Sequence, residues 1–208
     1  KDSLVRFVYS SSSSVYGDQT DLPVTETALP QPRSPYGVTK MAAEHLCVLY
    51  AMNFGVPTSS LRYFTVFGPR QRPDMAFRIF IEKALDGEAF SVYGDGSQTR
   101  DFTYVGDAVR SNLLAVSCDE KWEVFNTGGG SRMVFSETLQ MLTDLLRKRK
   151  PELNPVVEYH PMAKGDVMDT FADRTHVEKT IGYKPSITFA EGLAREVDWV
   201  IARRGAGV

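Results

Sequence analysis

The sequence predicts an α/β fold built on a parallel sheet, and three observations carry the prediction. Short runs rich in β-branched and aromatic residues alternate with longer stretches of helical periodicity. Glycine or proline punctuates many of the junctions between them. The 208 residues are 42% hydrophobic and 24% charged, the composition of a globular chain able to bury a real core.

In chain order, residues 4–9 read as a strand, and a run of five serines, 10–14, begins where that strand ends. A proline-rich loop over 22–35 leads into a helix over 36–53, stopped by Gly55 and Pro57. A strand over 59–64 precedes the loop Phe67-Gly68-Pro69. A helix over 77–85, stopped by Gly87, is followed by a short strand at 90–93 and the turn Gly94-Asp95-Gly96. Next come a helix over 105–117, a strand over 123–126 and the turn Gly128-Gly129-Gly130. The remainder reads as a helix (136–148), a strand (155–159), an irregular stretch, a short helix (175–181) and a closing helix (190–203). Within 41–52 only Glu44, His45 and Tyr50 interrupt a small or apolar surface, so this helix needs cover on more than one side, from core or from another subunit.

Charge and composition narrow the function. Net charge is −2, and the basic cluster at 147–150 closes a helix, where it complements the dipole; nucleic acid is not an expected partner. Cys47 and Cys118 fall in apolar helical patterns and read as buried thiols of a reducing compartment. His45, His160 and His176 share no ligand spacing, so no metal is expected. No run of apolar residues has membrane-spanning length, and a cytoplasmic location without membrane contact is the expectation.

The chemistry lies in SPYGVTK. Tyr36 and Lys40, four residues apart, put a phenol and an ammonium on one helix face. A fixed cation favours the phenolate of a neighbouring tyrosine, and nearby serines can hydrogen-bond a substrate hydroxyl that loses its proton. Alone, such a pair is an ordinary surface contact and a serine run an ordinary loop. A strand leading into the serines and a helix opening after Pro35 make the combination a proton-transfer site.

The pieces SSSSSVYGD, SPYGVTK, LRYFTVFGPRQRPDMAF and YGDGSQTRDFTYVGDAV, in this order, resemble the extended short-chain dehydrogenase/reductase family of nucleotide-sugar enzymes, most of all its UDP-glucuronate 4-epimerases. The resemblance implies the C-terminal part of a Rossmann-type doubly wound parallel sheet plus a smaller α/β substrate-binding domain. Residues 1–66 would be the remainder of the Rossmann-type domain, and 67–208 mainly the substrate domain, with 101–130 partly returning to the sheet. The family's opening Gly-x-x-Gly-x-x-Gly loop, which holds the cofactor pyrophosphate, has no counterpart here, since the Gly128 cluster has the wrong spacing. The expectation is that the NAD-binding first third of a family member is missing from this chain, and that the chain alone is inactive.

The resemblance also implies roles. NAD is the cofactor and a UDP-sugar the substrate, epimerised at C4 through a transient ketone. Tyr36 would take the proton of the 4-hydroxyl, Ser12 would hydrogen-bond it, and Lys40 would support Tyr36 and hold the nicotinamide ribose. Ser10, Tyr63 and Phe64 would line the cofactor, the two aromatics being alternatively core. Ser13 and Ser14 stand where related 4,6-dehydratases carry an aspartate and a glutamate, so lyase chemistry is disfavoured. Ser13, Ser14, Thr65 and Arg72 would meet a uronate carboxylate. Phe77, Tyr93 and Arg100 would hold uracil, ribose and diphosphate, with Asp166 either at the ribose or supporting its loop. Ala163 replaces an arginine of many relatives, with Lys164 as a substitute. The alternatives are a UDP-hexose or UDP-N-acetylhexosamine epimerase, and a noncatalytic nucleotide-sugar-binding fragment. A homodimer through the Tyr36 helix is implied.

Overall fold

The computed structural model describes residues 3–162 and 167–206. Its elements begin with β1 (Phe7–Ser12), a single 3₁₀ turn (Ser13–Val15), α1 (Pro35–Phe54), β2 (Thr58–Tyr63), β3 (Val66–Phe67) and α2 (Ala76–Asp86). There follow β4 (Phe90–Tyr93), β5 (Thr99–Asp101), β6 (Thr103–Tyr104), α3 (Val105–Ala115), β7 (Trp122–Thr127) and β8 (Arg132–Val134). The last are α4 (Phe135–Arg149), β9 (Val157–His160), α5 (Thr175–Ile181) and α6 (Phe189–Gly205).

The principal sheet is parallel, in the order β1-β2-β7. Phe7 stands opposite Thr58 and Ser12 opposite Tyr63; on the other side Tyr63 stands opposite Thr127. Three small sheets pair β3 with β6, β4 with β9 and, antiparallel, β5 with β8. The α/β class and the parallel sheet read from the sequence are therefore present.

Local signals explain the helix ends near the site. Ser34 caps α1, its hydroxyl accepting from the Gly37 N–H at 3.1 Å, and Pro35 fills the first turn. Gly55, at φ 64°, ends the same helix in the left-handed conformation that glycine adopts without strain. The largest core lies among α2, α4 and α6, around Phe77, Ile81, Phe90, Leu142, Leu146, Leu193 and Val197. A second core holds Leu61, Phe125 and Tyr183, and a third Val15, Tyr16, Val24, Phe64 and Ala172.

The first strand differs from expectation. It does not span 4–9 but begins at Phe7 and continues through Ser12, because pairing with β2 extends along three of the serines. Leu4 and Val5 stay exposed outside it. The serine run is thus mostly sheet, since a parallel ladder is made by the backbone and tolerates small polar side chains. The strand expected at 155–159 is Val157–His160, and the helix expected at 105–117 ends at Ala115. β3, β5, β6 and β8, each two or three residues long, are too short for alternation to register in a sequence.

The α1 helix buries Gly37, Glu44, Cys47 and Ala51 but leaves Leu46, Leu49, Tyr50, Met52 and Phe54 exposed. Cys47 and Cys118 are buried thiols, as read from the sequence. Among the described residues no helix is long and apolar enough to cross a membrane.

Candidate active site

The site forms where β1 ends against the start of α1. Ser12 closes the strand and caps the 3₁₀ turn, its Oγ accepting from the Ser14 N–H at 3.2 Å and donating to Ser14 Oγ at 3.1 Å. Helix α1 starts directly on this turn. A Cβ on Gly37 would lie 2.5 Å from the Ser14 carbonyl oxygen and 2.9 Å from Pro32 Cβ, so glycine is what lets the helix approach. Tyr36, half exposed, is thereby brought beside the serines. One turn later the Lys40 ammonium donates to the Ser10 carbonyl at 2.8 Å, 5.6 Å from the Tyr36 ring centre and 5.2 Å from that of Tyr9.

Tyr36 and the serines border a cleft of about 520 Å³, lined by Ser12, Ser13, Ser14, Tyr36, Tyr63, Thr65 and Arg72 among others. The loop after β3 makes the facing wall. Its Gly68, at φ 126°, packs so close to Tyr104 and Val105 that a Cβ would sit 2.9 Å from each, and its N–H donates to Glu196 at 2.8 Å. Arg70 in the same loop holds φ 68°, a conformation costly for a residue with a side chain and often found at ligand-binding loops. A second cleft, about 610 Å³, shares Thr65, Gln71 and Met75 with the first and runs on to Phe77, Tyr93 and Arg100.

The sequence-predicted residues thus fall into two adjoining groups: Ser12, Ser13, Ser14, Tyr36, Tyr63, Thr65 and Arg72 around the first cleft, and Phe77, Tyr93 and Arg100 around the second. Ser10 contributes its carbonyl to Lys40. Burial pushes the Tyr63 phenol up. Arg72 is exposed and paired with Asp74 at 3.2 Å, and Arg100 donates to the Thr99 and Met168 carbonyls at 2.9 Å each. Phe77 is 2% exposed, so only its edge is offered to the second cleft. Phe64 takes the packing of the core alternative. It lines neither cleft but lies 1% exposed against Val15, Tyr16, Val24 and Ala172, because it follows β2 into the third core. Asp166, Ala163 and Lys164 lie outside the described residues.

Sequence reasoning missed the polar layer behind the site. Glu44 on α1 and Arg62 on β2 form a buried ion pair at 2.7 Å. Arg62 also donates to the Tyr16 hydroxyl at 2.8 Å, which donates to Asn126 Oδ1 at 2.6 Å. Burial raises the Tyr16 phenol to about 12, against the opposing charge of Arg62. Asp101, next to Arg100, accepts the N–H groups of Gly129, Gly130 and Ala172 at 2.8, 3.2 and 3.1 Å. Glu44 was visible only as an interruption of an apolar helix; Arg62 and Asp101 carried no signal in isolation.

Glu196, on α6, holds the cleft wall through Gly68 and is fully buried. Burial lifts its carboxyl to about 8, opposed by the Gly68 N–H and the Arg78 charge; burial likewise lifts Asp101 to about 6. Both acids keep a proton in the folded state over a pH range in which the unfolded chain has lost it, so stability falls as pH rises from the ordinary carboxylate range to these values and levels off above them. Between pH 6 and 8.5 the fall due to Glu196 is about 2–3 kcal/mol. Glu196→Gln should flatten that decline in thermal midpoint, and equal slopes for variant and wild type would remove Glu196 as its cause.

The profile of the NAD dependent epimerase/dehydratase family matches residues 1–128. The chain is 34% identical over 195 residues to the UDP-glucuronate 4-epimerase of Thermodesulfobacterium geofontis, covering 93% of this chain and 58% of that protein. Its structure is similar to that of MoeE5 in complex with UDP-glucuronic acid and NAD, with a TM-score of 0.86 and 39% identity over 96% of this chain and 65% of that one. It is similar also to UDP-glucuronic acid 4-epimerase from Bacillus cereus in complex with UDP-glucuronic acid and NAD, with a TM-score of 0.86 and 38% identity over 95% of this chain and 62% of the other. The chain spans about three fifths of the length of the curated relatives it matches. With a family profile over more than half its residues and the same fold at this level of identity, the chain belongs to the NAD dependent epimerase/dehydratase family.

Proposed function

We propose that this chain carries the proton-transfer groups and the nucleotide-sugar site of an NAD-dependent UDP-sugar 4-epimerase acting on UDP-glucuronate. The observation that carries the reading is the meeting of Tyr36 and Ser12 at one cleft, with the Lys40 ammonium 5.6 Å from the Tyr36 ring centre, and the continuation of that cleft into a second bordered by Phe77, Tyr93 and Arg100. The phenol and ammonium on one helix face form a donor set suited to the hydroxyls of a ribose, which fits NAD, with Tyr36 and Lys40 as the residues that hold it. When bound, NAD supplies the reversible two-electron oxidation at the sugar carbon. Tyr36 takes the proton of the 4-hydroxyl and later returns it. Ser12 hydrogen-bonds the same oxygen, and Lys40 supplies positive charge beside the phenol.

The ring must turn over between proton removal and return. Arg100 grips the diphosphate while Phe77 and Tyr93 flank the nucleoside, so the sugar turns about a fixed anchor. Ser13, Ser14 and Thr65 give the sugar neutral hydrogen bonds that release and re-form. The carboxylate of a uronate is met by these hydroxyls and Arg72. Asp166 is proposed at the ribose. A second reading, epimerisation of UDP-hexose or UDP-N-acetylhexosamine, is favoured by one observation: the hydroxyl-lined cleft has Arg72 turned to Asp74.

Proton NMR of the whole protein that carries this chain, with NAD and, separately, UDP-glucuronate, UDP-glucose and UDP-N-acetylglucosamine, tests this. The expected result is conversion of UDP-glucuronate to UDP-galacturonate, by protein sedimenting as a homodimer through the exposed apolar face of α1. Turnover of another UDP-sugar instead would favour the second reading, and none by NAD-loaded protein would remove the enzyme assignment.

A further inference from the structure

We propose that Glu44 is a positioning residue that sets the geometry between Tyr36 and Ser12; the role rests on the 4-epimerase reading above. Glu44 lies on the face of α1 that carries Tyr36 and Lys40, one turn beyond the lysine. Its carboxylate reaches into the sheet rather than the cleft. Ser11 Oγ donates to Oε1, and Arg62 donates Nε to both oxygens at 3.0 and 3.2 Å and Nη2 to Oε2 at 2.7 Å.

The two partners are neighbours of the site. Ser11 immediately precedes Ser12 on β1, and Arg62 immediately precedes Tyr63 on β2. One carboxylate therefore ties the helix bearing the proposed base to both strands bearing its hydrogen-bonding partners. Glu44 is 5% exposed, Arg62 5% and Ser11 3%, so water does not substitute for a lost member. Arg62 is itself held from the far side by Tyr16 and the Glu26 carbonyl, which keeps the guanidinium from following the carboxylate if α1 shifts. Lys40 bonds to the Ser10 carbonyl at the same strand end, so α1 meets β1 at two consecutive turns, one through a backbone oxygen and one through Ser11.

The test uses Ser11, whose truncation leaves the ion pair in place and the chain able to fold. A proton-transfer step is sensitive to displacements well under 1 Å, so Ser11→Ala should lower kcat roughly tenfold with KM within about twofold, and Glu44→Gln should lower it further. Ser11→Thr, which restores the hydroxyl, should restore kcat. Amide hydrogen exchange at Ser12–Ser14 and at the first turns of α1 should quicken in Ser11→Ala and return to the wild-type rate in Ser11→Thr. A lowered melting temperature with unchanged kcat would reduce Glu44 to a structural role and overturn the proposal. So would a raised KM at constant kcat. If wild-type protein turns over no UDP-sugar, the functional reading has failed, and the exchange rates alone decide: equal rates in Ser11→Ala and wild type would overturn the coupling.

Discussion

Tyr36→Phe should abolish epimerisation while leaving the fold and the affinity for UDP-sugar intact. The phenol is the proposed base, and loss of a positioned acid–base group costs typically 10²–10⁴-fold in rate, roughly 3–5 kcal/mol at the transition state. The ring is half exposed and makes its described contact with Lys40 through its face, so removing the hydroxyl leaves that packing in place. Phe77, Tyr93 and Arg100, proposed above to hold the nucleotide, border the other cleft, so binding measured by calorimetry should be within a few-fold of wild type. The thermal midpoint should also hold. Turnover within tenfold of wild type would show that another group takes the proton and would end the role assigned to Tyr36.

The second large effect concerns stability. Arg62→Met should destabilise the protein by about 3–5 kcal/mol, the cost of breaking a buried ion pair from one side. The guanidinium is a hub: it donates to both oxygens of Glu44, to the Tyr16 hydroxyl and to the Glu26 carbonyl. Methionine matches its volume but leaves the Glu44 carboxylate buried without a counter-charge. Arg62→Lys keeps the charge yet cannot make the planar fork, and should fall between the two. Denaturant unfolding measures both. A loss below about 1 kcal/mol for Arg62→Met would mean that the carboxylate finds another partner or water, contrary to the enclosure described here.

Much of the architecture was legible before any coordinates. The α/β order, the long helix opening at Pro35 and the closing helix all follow from local signals: periodicity, caps and breakers. The candidate site residues stood out for a different reason. Tyr36, Lys40 and the serines are close in sequence, and their types belong together chemically, so short-range spacing carried the proposal. Phe64 shows the limit. An aromatic at the end of a strand can face a cleft or a core, and only the packing of Val15, Tyr16 and Val24 around it decides which.

What the sequence determined by itself was the class of fold, the placing of a phenol and an ammonium on one helix face, and the resemblance that led to a nucleotide sugar. The tertiary structure decided the rest. It carried β1 through Ser12, because backbone pairing with β2 extends over polar side chains that periodicity treats as loop. It joined two clefts through Thr65, Gln71 and Met75. It also turned Glu44, Arg62, Tyr16 and Asn126 into one network, although the four are separated by up to 110 positions in the chain. Local chain physics sets helices, strands and caps. Which buried charges meet, and which face of an aromatic is left for a ligand, depends on contacts between distant segments that no window of the sequence contains.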